Sequence, residues 1–191
     1  YELAVIIRDG IRRMYEEQKN IFYYKTVMNQ NYPMPHIPEG AKEGILKGMY
    51  RFKSSEKKNA KLKANLLGSG TIMNEVIKAA EILEEKYNVA SDIWSVTSYK
   101  ELRREALEVE RYNLLNPSEK EKVPYVSKLI DNDGVIVASS DYVKALPDSI
   151  SKWLPKNVIS LGTDGFGRSE GRKELRDFFE VDARYITLAT L

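Results

Sequence analysis

Four short apolar runs, each closed by a turn and followed by a helical pattern, constrain this chain more than any other feature: KANLLGSG, SDIWSVTS, DNDGVIVASS and NVISLG. Brief runs rich in branched residues and bounded by Gly, Ser, Asn or Asp read as strands. Between the first two lies TIMNEVIKAAEILEEKYN, in which Ile72, Val76, Ala80, Leu83 and Tyr87 share one helical face. Thr71 or Asn74 is placed to cap its start, and Glu75 adds a charge suited to a first turn. A second helix is predicted over 99–113, a short helix or turn in VPYVSKLI, and a helix interrupted by Pro147 in DYVKALPDSISKWL. The helix RKELRDFF and a terminal apolar helix close the chain. Parallel strands need long crossovers, usually helical, so this alternation predicts a largely parallel sheet covered on both faces.

The segment before the alternation reads differently. Leu3, Ile6, Ile7, Ile11 and Met14 fall near one face of a helix over 2–16, with Gly10 marking a close approach. NIFYYKTVM, residues 20–28, is dense in aromatic and β-branched residues and predicts a strand. The prolines of NQNYPMPHIPEG break regular structure and define a linker, followed by a short helix over 39–46 and a strand in GMYRF. Both ends read as cut, since Tyr1 already lies inside a helical pattern and the last helix has no capping glycine. The chain is therefore expected to be a piece of a longer protein. Apolar surface is expected over Leu3, Ile6, Ile7, Ile186 and Leu188, and with it self-association.

The 191 residues hold one domain, or one domain with an appendage. With 30 basic and 28 acidic side chains the net charge is +2, which gives no nucleic-acid footprint and no acidic partner. No apolar run approaches the roughly 20 residues of a membrane span. Cysteine is absent, so disulfides, thiolate nucleophiles and Cys-based zinc sites are excluded. A cytoplasmic setting is expected.

Catalytic signals are weak. His36 is the sole histidine and sits in the proline-rich linker, which leaves a Ser–His–Asp triad little to build on. Glu101, Glu105 and Glu108 fall at spacings typical of helix ion pairs. Lys53, Lys57, Lys58, Lys61 and Lys63 fit a solvated hairpin tip better than a polyanion site. Two glycine turns invite a phosphate reading. In Gly68-Ser69-Gly70, the third glycine of a dinucleotide fingerprint would fall at Met73, and no P-loop Gly-Lys-Ser/Thr follows. A tight turn opening a helix explains it better, although a self-standing module binding an anion or nucleotide there remains the alternative. In GTDGFGRSEG, Asp164 and Arg168 can pair, orient a ligand, or tie the turn together.

Taken in order, RDGIRRMY, NQNYPMP, PEGAKEGILKGMYRF, LLGSGTI, SDIWSVTSYKELRREA, ERYNLLNP, ASSDYVKALPDSI and LGTDGFGRSEGRKELRDFFEVDARY closely resemble the C-terminal part of the homodimeric bacterial pyruvate dehydrogenase family, over essentially the whole chain. The resemblance implies a three-layer α/β/α, transketolase C-terminal-domain-like fold with a mixed, mostly parallel sheet. It implies that residues 1–38 are the helix–strand tail of a pyrimidine-binding middle domain plus a linker, and 39–191 the C-terminal domain. The intact enzyme would use thiamine diphosphate and Mg2+ to decarboxylate pyruvate, passing the acetyl group to a lipoyl group on dihydrolipoyl acetyltransferase. The family's Gly-Asp-Gly diphosphate motif has only NDG (132–134) and TDG (163–165) as counterparts here, and neither is followed by paired asparagines. No catalytic, cofactor-binding or metal-ligating residue is thus carried over, and the piece alone is expected to be inactive and to bind no cofactor. Asp164, Phe166 and Arg168 are expected to shape a channel mouth or a subunit contact.

Overall fold

A computed structural model describes residues 1–28, 31–57 and 60–191. Helix α1 (Glu2–Ile11) runs into a π-helical turn (Arg12–Glu16), and after the linker come α2 (Ala41–Lys47) and strand β1 (Met49–Lys53). Then follow β2 (Leu62–Gly68), a 3-10 turn (Gly70–Ile72), α3 (Met73–Lys86), β3 (Val89–Val96) and α4 (Tyr99–Leu115). Strand β4 (Val135–Ser139), helix α5 (Ala145–Asp148), strand β5 (Val158–Leu161), α6 (Arg172–Phe178) and α7 (Ala183–Thr190) complete the order. None of the helices described is long and apolar enough to cross a membrane.

The strands form one sheet in the order β1-β3-β2-β4-β5. Only the β1–β3 pair is antiparallel, so the sheet is mixed but mostly parallel, as the alternation requires. Side chains alternate across it. The row Ile93–Leu66–Val137 faces α3 and α7, while Trp94–Leu67–Ala138 faces α4 and the α5 region. Both faces are covered, which explains why the central strands read as unbroken apolar runs. Each fully buried Leu or Ile side chain contributes about 1.5–3 kcal/mol here. On α3 the buried face comprises Ile72, Val76, Ala79, Ala80 and Leu83. Tyr87 stays half exposed, because the helix ends at Lys86 before the face comes round again.

Several sequence expectations are corrected by packing. Residues 20–28 are extended but unpaired, because an extended segment becomes a strand only beside another strand, and among the described residues none lies alongside. Phe22 and Tyr24 are each 88% exposed. Tyr23 is pinned, its ring against Gly10 and its hydroxyl accepting from Arg13 Nη1 at 2.9 Å, and Thr26 Oγ1 hydrogen-bonds the Tyr142 hydroxyl. The lysine-rich stretch is not a hairpin tip, since β3 lies between β1 and β2 in the sheet. Lys57 Nζ donates to the Glu84 carbonyl and to Asn88 Oδ1, closing the end of α3, while Lys58 lies outside the described residues. Asn29 and Gln30 of the linker lie outside them too.

The N-terminal helix docks through its first turn. Glu2 Oε1 accepts from Tyr50 Oη (2.7 Å) and Ser95 Oγ (2.6 Å), while Tyr1, Val5 and Ile6 pack on Ala41, Ile45 and Tyr50. Leu3 and Ile7 stay exposed as expected, but Ile186 does not: α7 turns it fully into the core against α3. Asp182 caps α7, accepting from the backbone N–H groups of Arg184 (2.9 Å) and Tyr185 (3.3 Å). Burial opposes its ionised form, yet Arg184 and those N–H groups together hold its carboxyl below the ordinary carboxylate range.

Candidate functional site at the carboxyl ends of β2 and β4

From β2 the chain passes to β3 on one side and later to β4 on the other. Open α/β sheets bind ligands outside the carboxyl ends of strands at such a reversal. The Gly68-Ser69-Gly70 turn lies there. A Cβ on Gly68 would stand 3.0 Å from Met73 Sδ and from Val76 Cγ2, so this glycine lets helix α3 close onto the strand end. Gly70 has φ +55 and open space beside it, so it serves the backbone conformation. Ser69 is buried and donates its hydroxyl to Ser140 Oγ (3.0 Å), which joins the turn after β2 to the turn after β4.

Thr71 does not cap α3. Its hydroxyl donates to Asp141 Oδ2 (3.0 Å) and accepts from Arg176 Nη2 (3.3 Å). Glu75 is not a solvated first-turn charge but a buried hub. Its Oε1 accepts from Arg176 Nη1 (3.1 Å) and Lys78 Nζ (3.0 Å), and its Oε2 from the Ala183 backbone N–H (3.2 Å). Residues from the turns after β2 and β4 and from α3, α6 and α7 therefore meet in one polar cluster. Nothing in local spacing announces it, because its members come from distant parts of the chain.

Burial pushes the Asp141 carboxyl above its ordinary value, against the opposing pull of the Thr71 hydrogen bond and the Arg176 charge. A raised folded value means that Asp141 favours folding fully at acid pH and loses that contribution as pH rises through the folded value. At neutral pH the ionised carboxylate is therefore a burden, and Asp141→Asn, which keeps an acceptor for Thr71, is expected to raise the melting temperature by a few degrees. The gain should disappear near pH 3. Calorimetry across that range checks it, and a lowered melting temperature at pH 7 would count against the assignment.

The 162–171 loop runs beside this cluster. Gly162 passes so close to the Tyr142 carbonyl that no Cβ fits, and Thr163 N donates to that carbonyl at 2.9 Å. Asp164 Oδ1 accepts from the Lys144 backbone N–H (3.0 Å), with Lys144 Nζ at 3.7 Å from Oδ2. Phe166 is 96% exposed. Arg168 places its guanidinium 4.2 Å from the centroid of the Phe178 ring, against α6. The structure thus separates the three loop residues: Asp164 ties the turn, Phe166 projects outward and Arg168 packs sideways.

The remaining candidates are dispersed. His36 is exposed in the linker. In the NDG turn, Asn132 bonds Asn65 (2.7 Å) and the Gly134 N–H (2.9 Å), so it shapes the entry to β4. Glu101 and Glu108 clasp Arg104 along α4, and Glu105 accepts from the Tyr125 backbone N–H. Among the described residues, no three His, Cys, Asp or Glu side chains gather where they could hold a metal ion. An open groove of about 500 Å³ borders Glu39, Gly44, Tyr50, Trp94 and Tyr125, with Arg51 and Asp131 paired across it.

A five-stranded, mostly parallel sheet of this order, helix-covered on both faces, defines a class. The family model described as the transketolase-like C-terminal domain matches residues 48–182, and the chain belongs to that family. Residues 1–36 match a second model, the pyruvate dehydrogenase E1 component middle domain. The chain is 52% identical over 193 aligned positions to the pyruvate dehydrogenase E1 component of Pseudomonas aeruginosa, covering all of this chain and 22% of that protein. It is 49% identical to the Escherichia coli protein of the same name, covering all of this chain and 21% of that one. The chain thus spans about a fifth of the length of the curated relatives it matches. Among solved structures, a transketolase variant from Pichia stipitis superposes with a TM-score of 0.55 at 15% identity, over 82% of this chain and 19% of that one. Transketolase from Leishmania mexicana gives 0.52 at 16% identity, over 78% and 18%. These likenesses show the fold.

Proposed function

We propose that this chain is the C-terminal domain, with the tail of the middle domain, of a pyruvate dehydrogenase E1 component, and that it serves that enzyme as scaffold and subunit surface. The observation that carries the reading is the match over the full length of this chain at about half identity to proteins of that name, together with two family models that follow one another along it. On this reading residues 1–38 belong to the middle domain and linker, and 39–191 to the third domain. The whole enzyme, a cytoplasmic homodimer, decarboxylates pyruvate and transfers the acetyl group to the lipoyl group of dihydrolipoyl acetyltransferase.

Thiamine diphosphate with Mg2+ supplies the electron sink for such a decarboxylation. The residues here do not fit that cofactor: polar groups of both Asp-Gly turns are engaged within the fold, Asn132 with Asn65 and the Gly134 N–H in one, and Asp164 with the Lys144 backbone N–H in the other. The chemistry is therefore assigned to other parts of the enzyme. The role of this chain is to hold a rigid sheet and present the 162–171 loop, where Asp164 fixes the loop's path while Phe166 and Arg168 line a channel mouth or the subunit contact. An aromatic ring as exposed as that of Phe166 supports such a contact.

Purified chain supplied with thiamine diphosphate, Mg2+ and pyruvate is expected to release carbon dioxide no faster than the protein-free mixture. Sustained turnover by the chain alone would overturn the proposal.

A further inference from the structure

Arg172 and Arg176 lie four positions apart on α6 and so share a face. Both guanidinium groups stand over one aromatic ring, their central carbons 5.0 and 5.9 Å from the centroid of Tyr32. Three polar atoms in this group are shielded from solvent and have no hydrogen-bond partner among the described residues: Arg172 Nη1, Arg176 Nε and Tyr32 Oη. Buried polar groups are nearly always satisfied, and a bare cationic donor is among the most costly to leave. All three can donate, so what they lack is an acceptor.

The carboxylates within reach are already engaged. Glu75 accepts from Lys78, from Arg176 Nη1 and from the Ala183 N–H, and Asp141 accepts from Thr71. Arg176 Nη2 is committed to Thr71. Through Thr71, which follows β2, and Asp141, which follows β4, the cluster is fastened to the reversal point of the sheet.

We propose that Arg172, Arg176 and Tyr32 form a binding site for a small oxyanion, the phosphate or carboxylate group of a metabolite, at the carboxyl ends of β2 and β4. An oxyanion has lone pairs enough for all three donors, and planar guanidinium groups match it with charge-assisted bonds. The Tyr32 ring stacks against both cations and its hydroxyl closes the site. A water molecule would satisfy the hydroxyl but would not balance the charge. The inference rests on these three side chains and stands independently of the pyruvate dehydrogenase reading.

The test is a titration of the isotope-labelled chain with inorganic phosphate and, separately, with acetate at constant ionic strength, followed by NMR of backbone amides and arginine Nε–H groups. Saturable shifts are expected around residues 31–37 and 172–176, with the Arg176 Nε–H among them. Tighter binding of phosphate would assign a phosphorylated ligand, and tighter binding of acetate a carboxylate. Arg172→Gln is expected to weaken binding about tenfold, a loss of about 1.4 kcal/mol, with an unchanged urea midpoint. Tyr32→Phe keeps the stacked ring, removes only the hydroxyl, and should weaken binding several-fold, which preserves the test if the first variant misfolds. No saturable shift with either anion, or equal affinity in both variants and the parent, would overturn the site.

Discussion

Replacing Glu75 with glutamine is expected to destabilise the domain by about 3–5 kcal/mol, the usual cost of removing one partner of a buried ion pair. The side chains of Glu75 and Arg176 are only 9% and 13% exposed, and the pair joins α3 to α6. Glutamine matches the shape but not the charge, so Arg176 would be left buried without its counter-ion. It would also weaken the bond to the Ala183 N–H at the start of α7. For a chain of this size each kcal/mol lowers the melting temperature by roughly 2–4 °C, so a drop of roughly 6–20 °C is expected. Urea unfolding should show a lower midpoint with an unchanged slope. The double change Glu75→Leu with Arg176→Leu should recover much of the loss, because both charges then leave together. A single-variant loss below about 0.5 kcal/mol, the range of ordinary surface changes, would show that the hub contributes little.

Trp94→Ala is expected to cost about 3–5 kcal/mol by opening a cavity on the other face of the sheet. Trp94 is 1% exposed and packs in one cluster with Met49, Leu67, Leu102 and Ile136. Its Nε1 donates to Asn65 Oδ1 at 3.1 Å, and Asn65 and Asn132 bond each other beneath it. Arg51 lies over the ring at 4.6 Å. Trp94→Phe separates the contributions: most of the packing stays, the indole N–H bond goes, and a loss of about 0.5–1.5 kcal/mol is expected for that bond. Circular dichroism in urea reads both variants. Equal losses for Ala and Phe would locate the energy in the hydrogen bond rather than in the packing.

The alternating strands and helices were legible because burial on both faces leaves a direct mark. Leu66, Leu67, Ile93, Trp94, Val137 and Ala138 are consecutive apolar pairs on strands that have helices above and below. The Gly68 turn was legible as a turn, and Met73 proved to fill the space that a dinucleotide fingerprint leaves for a third glycine. Residues 20–28 misled because aromatic and β-branched composition reports extended backbone, whereas a strand also needs a neighbour. Thr71 and Glu75 misled for a related reason. A hydroxyl and a carboxylate near a helix start are usually local caps, and here they serve partners far away in the chain.

The alternation of strands and helices from β2 onward, the buried face of α3, and the parallel character of the sheet follow from the sequence alone, because periodicity records which side of an element is buried. Partnership across the fold does not follow from it. Glu75 meets Arg176 across 101 positions, and Thr71 meets Asp141 across 70. Such contacts exist only once the sheet order brings the ends of β2 and β4 side by side and α6 and α7 settle against α3. The charge of each residue is written in the chain, but the residue that answers it is chosen by packing.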